Sequence, residues 1–82
     1  MQPSEVHKDV PIYIYHDGND YPDEFSASIE WYGRMIDVKV EKEKRPTLKN
    51  IVEAAYYLID LLRGIEAKGY LGNDGYIKHD LR

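Results

Sequence analysis

Hydrophobic and polar residues alternate over three runs in the first half of the chain. The apolar face of each run consists of Val10, Ile12 and Ile14; of Phe25, Ala27, Ile29 and Trp31; and of Ile36, Val38 and Val40. A period of two is typical of strands with one buried face. The pattern therefore predicts a three-stranded antiparallel meander.

The connections between these runs are rich in turn residues. Gly18, Asn19, Asp20 and Pro22 separate the first two runs, and the dipeptide Gly33-Arg34 predicts a tight hairpin between the second and third. Pro11 has no backbone N–H, which favours an edge position for the first strand. Residues 1–9 are polar and show no period, so we predict a flexible N-terminal segment.

After Pro46 the hydrophobic period changes to that of a helix. Thr47 is a suitable N-cap and Gly69 a suitable C′ residue, so we predict a helix from Leu48 to Lys68. The apolar residues fill half of the helical wheel, which is wider than the stripe of about 100° that a surface helix needs. We expect the excess to be covered by the C-terminal tail, by a second copy in a homodimer, or by another protein.

These elements define an α+β fold with the order β-β-β-α. We predict a single domain over residues 10–82, in which Tyr76, Ile77 and Leu81 form either a short C-terminal strand or a docked tail. The expected core contains Ile12, Ile14, Phe25, Ile29, Trp31, Ile36, Val38 and the apolar side of the helix. A chain of 82 residues without cysteine must fold on this core without disulfides.

Charge is unevenly distributed along the chain. The net charge is −4, but residues 1–33 carry seven acidic residues and one basic residue, while residues 34–82 carry ten basic and eight acidic residues. The N-terminal residues lack the basic start and apolar run of a signal peptide, and no segment has the roughly 20 apolar residues of a membrane span. We therefore expect a cytoplasmic protein that does not enter a membrane.

The acidic segment from Asp17 to Glu24 is the first candidate for chemistry. Its carboxylates suit calcium, but an EF-hand loop beginning at Asp17 would place Tyr21 at position 5 and Pro22 at position 6, which breaks the pattern. His16 and Asp17 are adjacent and would point to opposite faces of a strand, and His7 lies in the predicted flexible segment. We therefore predict no enzyme activity, no metal site and no cofactor.

Nucleic-acid binding is an alternative. Tyr13, Tyr15 and Tyr32 are predicted to share the sheet face away from the helix, where bases can stack, and residues 39–49 hold a basic run. In topology the arrangement resembles the double-stranded-RNA-binding domain, although the helix start "TLKN" lacks that family's lysine cluster. Glu30, Asp37 and Glu41 on the tyrosine face oppose contact with phosphates.

Protein binding meets fewer objections. Tyr, Trp, Met and Arg are enriched in interface cores, and an acidic surface suits a basic partner. We predict that the partner-binding residues are Tyr13, Tyr15, Asp17, Asp20, Asp23, Glu24, Glu30, Tyr32 and Arg34. The expected function is that of a small non-enzymatic binding protein, such as a phage or mobile-element inhibitor of a host defence or nucleic-acid-handling protein. A self-associating structural module is the third hypothesis.

Overall fold

The computed structural model of the protein describes residues 2–16 and 23–69. It contains a four-stranded antiparallel sheet with the strand order β1-β2-β3-β4, followed by one helix. The elements are β1 (Glu5–His7), β2 (Val10–His16), β3 (Phe25–Trp31), β4 (Arg34–Asp37) and α1 (Leu48–Ala67). The predicted α+β fold is confirmed, with one strand more than the sequence pattern indicated.

The additional strand is β1, which lies in the segment predicted to be flexible. It pairs with β2 through a two-residue turn at Lys8 and Asp9, whose φ angles are 49° and 65°. Positive φ at both central positions is the conformation of a type I′ hairpin, which normally carries Asn-Gly or Asp-Gly. Because Lys-Asp is not such a signal, the sequence pattern did not reveal the hairpin.

The position of Pro11 differs from the prediction, because β1 makes β2 an interior strand. Pro11 lies opposite Val6 of β1, and the ladder between β2 and β3 begins one residue later, where Ile12 pairs with Ile29. Proline is tolerated where a strand does not need its N–H for the ladder. Because the β2–β3 ladder begins at Ile12, the N–H that Pro11 lacks is not needed for this ladder.

The hairpin between β3 and β4 turns one residue earlier than predicted. Its central residues are Tyr32 and Gly33, with φ angles of 51° and 79°, and Trp31 pairs directly with Arg34. Glycine suits the second of these positions because a side chain is strained at positive φ. Because of this shift, Tyr32 lies in the turn and not in β3, and Arg34 is the first residue of β4.

The core lies between one face of the sheet and α1. Its buried residues are Val10, Ile12, Ala27, Ile29, Trp31 and Val38 from the sheet region and Ile51, Ala55 and Ile59 from the helix. Ile14, Phe25 and Ile36 are only partly buried against this cluster. The helix begins as predicted, because the Thr47 hydroxyl accepts a hydrogen bond from the Asn50 backbone N–H at 3.3 Å.

Side-chain contacts hold α1, from Tyr56 to Arg63, against the β1–β2 hairpin. The His7 ring stacks on Tyr56, and the Arg63 guanidinium donates to the Lys8 carbonyl oxygen at 3.0 Å. An apolar groove opens on the other side of α1, toward β4 and the residues that follow it. The predicted strand or tail at residues 76–81 lies outside the described residues.

Candidate functional site

The sheet has one face that α1 does not cover, which we call the open face. The strand registers place on it Pro11, Tyr13 and Tyr15 from β2, Ser26, Ser28 and Glu30 from β3, and Met35 and Asp37 from β4. None of these residues belongs to the buried core, whose strand residues point to α1. The period-two pattern predicted this placement for Tyr13, Tyr15 and Glu30.

Two side-chain hydrogen bonds cross the open face between neighbouring strands. The Tyr13 hydroxyl donates to the Glu30 carboxylate at 3.0 Å, and the Ser28 hydroxyl donates to Asp37 at 3.2 Å. The bond to Glu30 raises the pKa of Tyr13 above its ordinary value, and desolvation raises it further. Both carboxylates keep further lone pairs with which they can accept hydrogen bonds from a partner.

Apolar and acidic groups alternate on the open face. Tyr15 is 39% exposed and Met35 is 52% exposed, and both lie on the same face as the carboxylates of Glu30 and Asp37. The strand residues of this face, all within the described part of the chain, include no lysine, arginine or histidine. The face can therefore offer apolar contact area together with hydrogen-bond acceptors of negative charge.

The acidic rim next to β3 is tied to the segment before the helix. Arg45 donates to the Asp23 carboxylate at 2.7 Å and to the Glu24 carboxylate at 3.1 Å. The hydrogen bond to Glu24, followed by that to Asp23, raises the pKa of Arg45. Two of the predicted partner-binding carboxylates thus already have an internal partner, whereas Asp17 and Asp20 lie outside the described residues.

Tyr32 does not lie on the open face, so its predicted position beside Tyr13 and Tyr15 is wrong. Its hydroxyl donates to the Glu66 carboxylate of α1, which also accepts a hydrogen bond from Arg63 at 2.6 Å. The bond to Glu66 raises the pKa of Tyr32, and the same bond, followed by that from Arg63, lowers the pKa of Glu66. The cause of the difference is the earlier hairpin turn.

Arg34 is also placed on the helix side of the sheet. Arg34 pairs with Trp31, which is 2% exposed and belongs to the core. Directly opposed residues of an antiparallel pair lie on the same face of the sheet. The prediction that Arg34 accompanies the tyrosine face is therefore wrong in position. Of the nine predicted residues, Tyr13, Tyr15 and Glu30 share the open face.

A histidine–carboxylate pair joins β1 to α1, and the sequence pattern did not reveal it. The His7 Nε2 atom lies 2.8 Å from an Asp60 carboxylate oxygen, which Lys8 Nζ also approaches at 2.9 Å. Hydrogen bonds from Lys8 and then from His7 lower the pKa of Asp60. Because the ring of His7 is stacked on Tyr56, these contacts position β1 on the helix.

A second surface is the groove between α1 and the end of β4, with a volume of about 510 Å³. Its apolar lining consists of Ile36 and Val40 on the sheet side and of Ala54, Tyr57 and Leu58 on α1. Tyr57 is 70% exposed, and Leu61, one turn further along the helix, is 48% exposed. Described residues therefore cover only part of the wide apolar side of the helix, in agreement with its sequence pattern.

Within residues 2–16 and 23–69, no group of three or more histidine and acidic side chains is arranged to hold a metal ion. The single described helix is not apolar and long enough to cross a membrane. The fold and its surfaces define a small antiparallel α+β domain with an open face of aromatic and acidic residues. Comparison with protein-family models, curated proteins and solved structures found no match.

Proposed function

We propose that this chain is a protein-binding domain without catalytic activity and that its open face contacts a partner with a basic surface. The observation that supports the proposal is the combination of exposed Tyr15 and Met35 with the carboxylates of Glu30 and Asp37 on one face of the sheet. Tyrosine and methionine are enriched at the centres of interfaces. Carboxylates at their side favour association with a cationic surface.

The same face is a poor match for nucleic acid. Its two carboxylates would repel phosphates, and Tyr32, the third tyrosine expected to stack on bases, reaches α1 instead. Within the basic run, Arg45 already binds Asp23 and Glu24. These contacts support a protein partner over a nucleic-acid partner.

A basic groove that ordinarily holds nucleic acid is one kind of surface that an acidic, aromatic face would fit. A domain bound in such a groove would occupy the place of the phosphate backbone. This extends the proposal to inhibition of a nucleic-acid-handling protein, as the sequence pattern suggested for a phage or mobile-element protein.

The proposal is tested by affinity capture with the full chain and two variants of the open face. Tyr15→Ala removes an exposed ring, and Glu30→Gln removes a charge while leaving an oxygen that can accept from the Tyr13 hydroxyl. We expect either change to reduce capture of a defined protein by about tenfold, the effect of losing one interface hot spot. Glu43→Gln is the matched control, because Glu43 is an exposed carboxylate away from the open face.

Capture should be repeated after nuclease treatment of the lysate. A defined protein that persists after this treatment, and that depends on Tyr15 and Glu30, supports the proposal. Equal capture by the wild type and both open-face variants would contradict it. A gel shift with RNA or DNA at low salt, weakened by Lys44→Ala, would favour the nucleic-acid alternative instead.

A further inference from the structure

Within residues 2–16 and 23–69, which the structure describes, no strand pairs with the outer edge of β4. In the order β1-β2-β3-β4 it has β3 on one side only, and the Val38 N–H continues that ladder by donating to the Ala27 carbonyl oxygen at 2.9 Å. The direction of the backbone N–H and C=O groups alternates along a strand. Those of Ile36 and Val38 point to β3. The N–H and C=O groups of Met35 and Asp37 therefore point away from the sheet, and the pairing proposed below extends this alternation to Lys39.

The groove runs along this edge. Ile36 and Val40 form its sheet side and are partly buried, while Asp37 and Lys39 at its rim are exposed. A strand that pairs with the β4 edge could therefore make backbone hydrogen bonds and apolar side-chain contacts at the same place. Edge strands with both are common sites of strand addition.

The sequence of this edge is complementary to itself. Asp37 and Lys39 flank Val38, and Ile36 and Val40 flank that triplet, so opposite charges and similar apolar residues are placed symmetrically about Val38. We propose that a second copy of the chain pairs with the end of β4 and with residues 38–40, which follow it, in antiparallel orientation about a two-fold axis at Val38. Asp37 of each copy then lies opposite Lys39 of the other, and Ile36 lies opposite Val40.

Charge selects this register over its neighbours. An axis at residue 37 would place Asp37 opposite itself, and an axis at residue 39 would place Lys39 opposite itself and Asp37 opposite Glu41. An axis at residue 36 would place Met35 opposite Asp37 and gain no ion pair. Like charges directly opposite destabilise an antiparallel pair, whereas opposite charges stabilise it.

The hydrogen-bond pattern permits the same register. With the axis at Val38, Asp37 of each copy and Lys39 of the other form the narrow, hydrogen-bonded pairs, because the Val38 N–H points to β3 and its neighbours then point outward. Val38 of the two copies then forms the intervening non-hydrogen-bonded pair, whose side chains are closest. The apolar row of Ile36, Val38 and Val40 becomes continuous between the two grooves.

The proposed dimer goes beyond the proposed function and uses the edge of the sheet, with Asp37 shared between this edge and the open face. Its two-fold axis is perpendicular to the sheet, so both open faces lie on one side and both helices on the other. Two copies would therefore present two partner-binding faces in the same direction. Binding through the open face does not require the dimer, and the two proposals can fail independently.

The test uses charge variants of the full chain and their mixture. Asp37→Lys and Lys39→Asp should each weaken dimerisation at least about tenfold, because both cross-strand pairs become repulsive. The double variant Asp37→Lys/Lys39→Asp restores the pairing and should dimerise like the wild type. The two single variants, mixed in equal amounts, should form a heterodimer that is at least about tenfold tighter than either homodimer.

Sedimentation analysis at increasing concentration distinguishes one chain of 9.6 kDa from a particle of twice that mass. Glu43→Lys is the control, since it reverses an exposed charge outside the edge and should leave the dimer intact. A wild type that remains monomeric at high concentration overturns the proposal. The proposal is also overturned if the charge variants dimerise like the wild type and Leu61→Glu does not dimerise. That result would place the dimer interface on the exposed face of α1.

A cross-link provides a second and independent measurement. The chain has no cysteine, so Val38→Cys introduces the only thiol. Two such residues in a non-hydrogen-bonded pair would have Cα atoms about 4.5 Å apart, within the range of a disulfide. Mild oxidation should convert this variant, but not Lys42→Cys, into a disulfide-linked dimer, and equal cross-linking of the two variants would contradict the register.

Discussion

The His7 ring lies flat on the ring of Tyr56, with centroids 4.1 Å apart and an angle of 6° between the planes. The same imidazole contacts Asp60 through Nε2. Both helix residues are on the side of α1 that faces β1, so one side chain of a three-residue strand makes an aromatic and a polar contact with the helix. This relationship explains how a strand too short to be stable by itself is held on the sheet.

Replacing His7 by alanine should destabilise the fold. Loss of the stacked ring costs about 0.5–1.5 kcal/mol, and loss of the exposed hydrogen bond to Asp60 lowers the stability further. His7→Phe is the matched control because it keeps a ring on Tyr56 and loses only the polar contact. Urea unfolding should rank the wild type above His7→Phe and His7→Phe above His7→Ala, and equal stability of all three would show that the stack contributes nothing.

The contribution of Asp60 should depend on pH. Hydrogen bonds from Lys8 and His7 lower its pKa below the ordinary value of 3.8, so the unfolded chain binds this proton more tightly than the folded state. The stabilisation is therefore complete above pH 3.8 and is lost as the pH falls through the lower pKa of the folded state. Asp60→Asn, which keeps an oxygen acceptor without the charge, should lie below the wild type at pH 7 and approach it in acid.

The measurement for this prediction is the urea midpoint of both proteins between pH 7 and pH 3. A difference that stays constant over the whole range would mean that the charge of Asp60 is not its cause. Added salt should reduce the difference at pH 7, because the carboxylate and Lys8 are both about half exposed.

Glycine at position 9 should stabilise the first hairpin. Asp9 has a φ of 65°, and a non-glycine residue in the left-handed region carries a cost that glycine avoids. We expect Asp9→Gly to add about 0.5–1 kcal/mol, which raises the melting temperature by about 2–8 °C in a domain of this size. Asp9→Ala should lower it, since alanine at positive φ lacks the local hydrogen bonds that aspartate can make. The opposite order in thermal unfolding would contradict the type I′ assignment.

The periodicity of the sequence was sufficient for the main elements. Alternation placed Ile12 and Ile29 in the core and Tyr13 and Tyr15 on the opposite face, because side chains alternate strictly between the two faces of a strand. The cap at Thr47 and the positive φ of Gly69 fixed the helix to within one residue of the prediction. These features depend on local chemistry, which a sequence shows directly.

The errors arose where local chemistry gives no signal. A two-residue turn of Lys8 and Asp9 needs positive φ without glycine, so β1 was not predicted. At the second hairpin, glycine occupies the second central position and not the first, and this single-residue shift moved Tyr32 and Arg34 away from the open face. The groove depends on where α1 crosses the sheet, which the pattern of one helix does not specify.

The contacts of His7 and Lys8 with α1 also affect which elements of the molecule unfold together. An edge strand of three residues would ordinarily fray many times for each global unfolding event. Here the strand is bound to helix residues more than 50 positions away in the chain, at Asp60 and Arg63. Separation of β1 from the sheet must therefore break its links to the helix as well, and this couples the first strand and the helix into one cooperative unit.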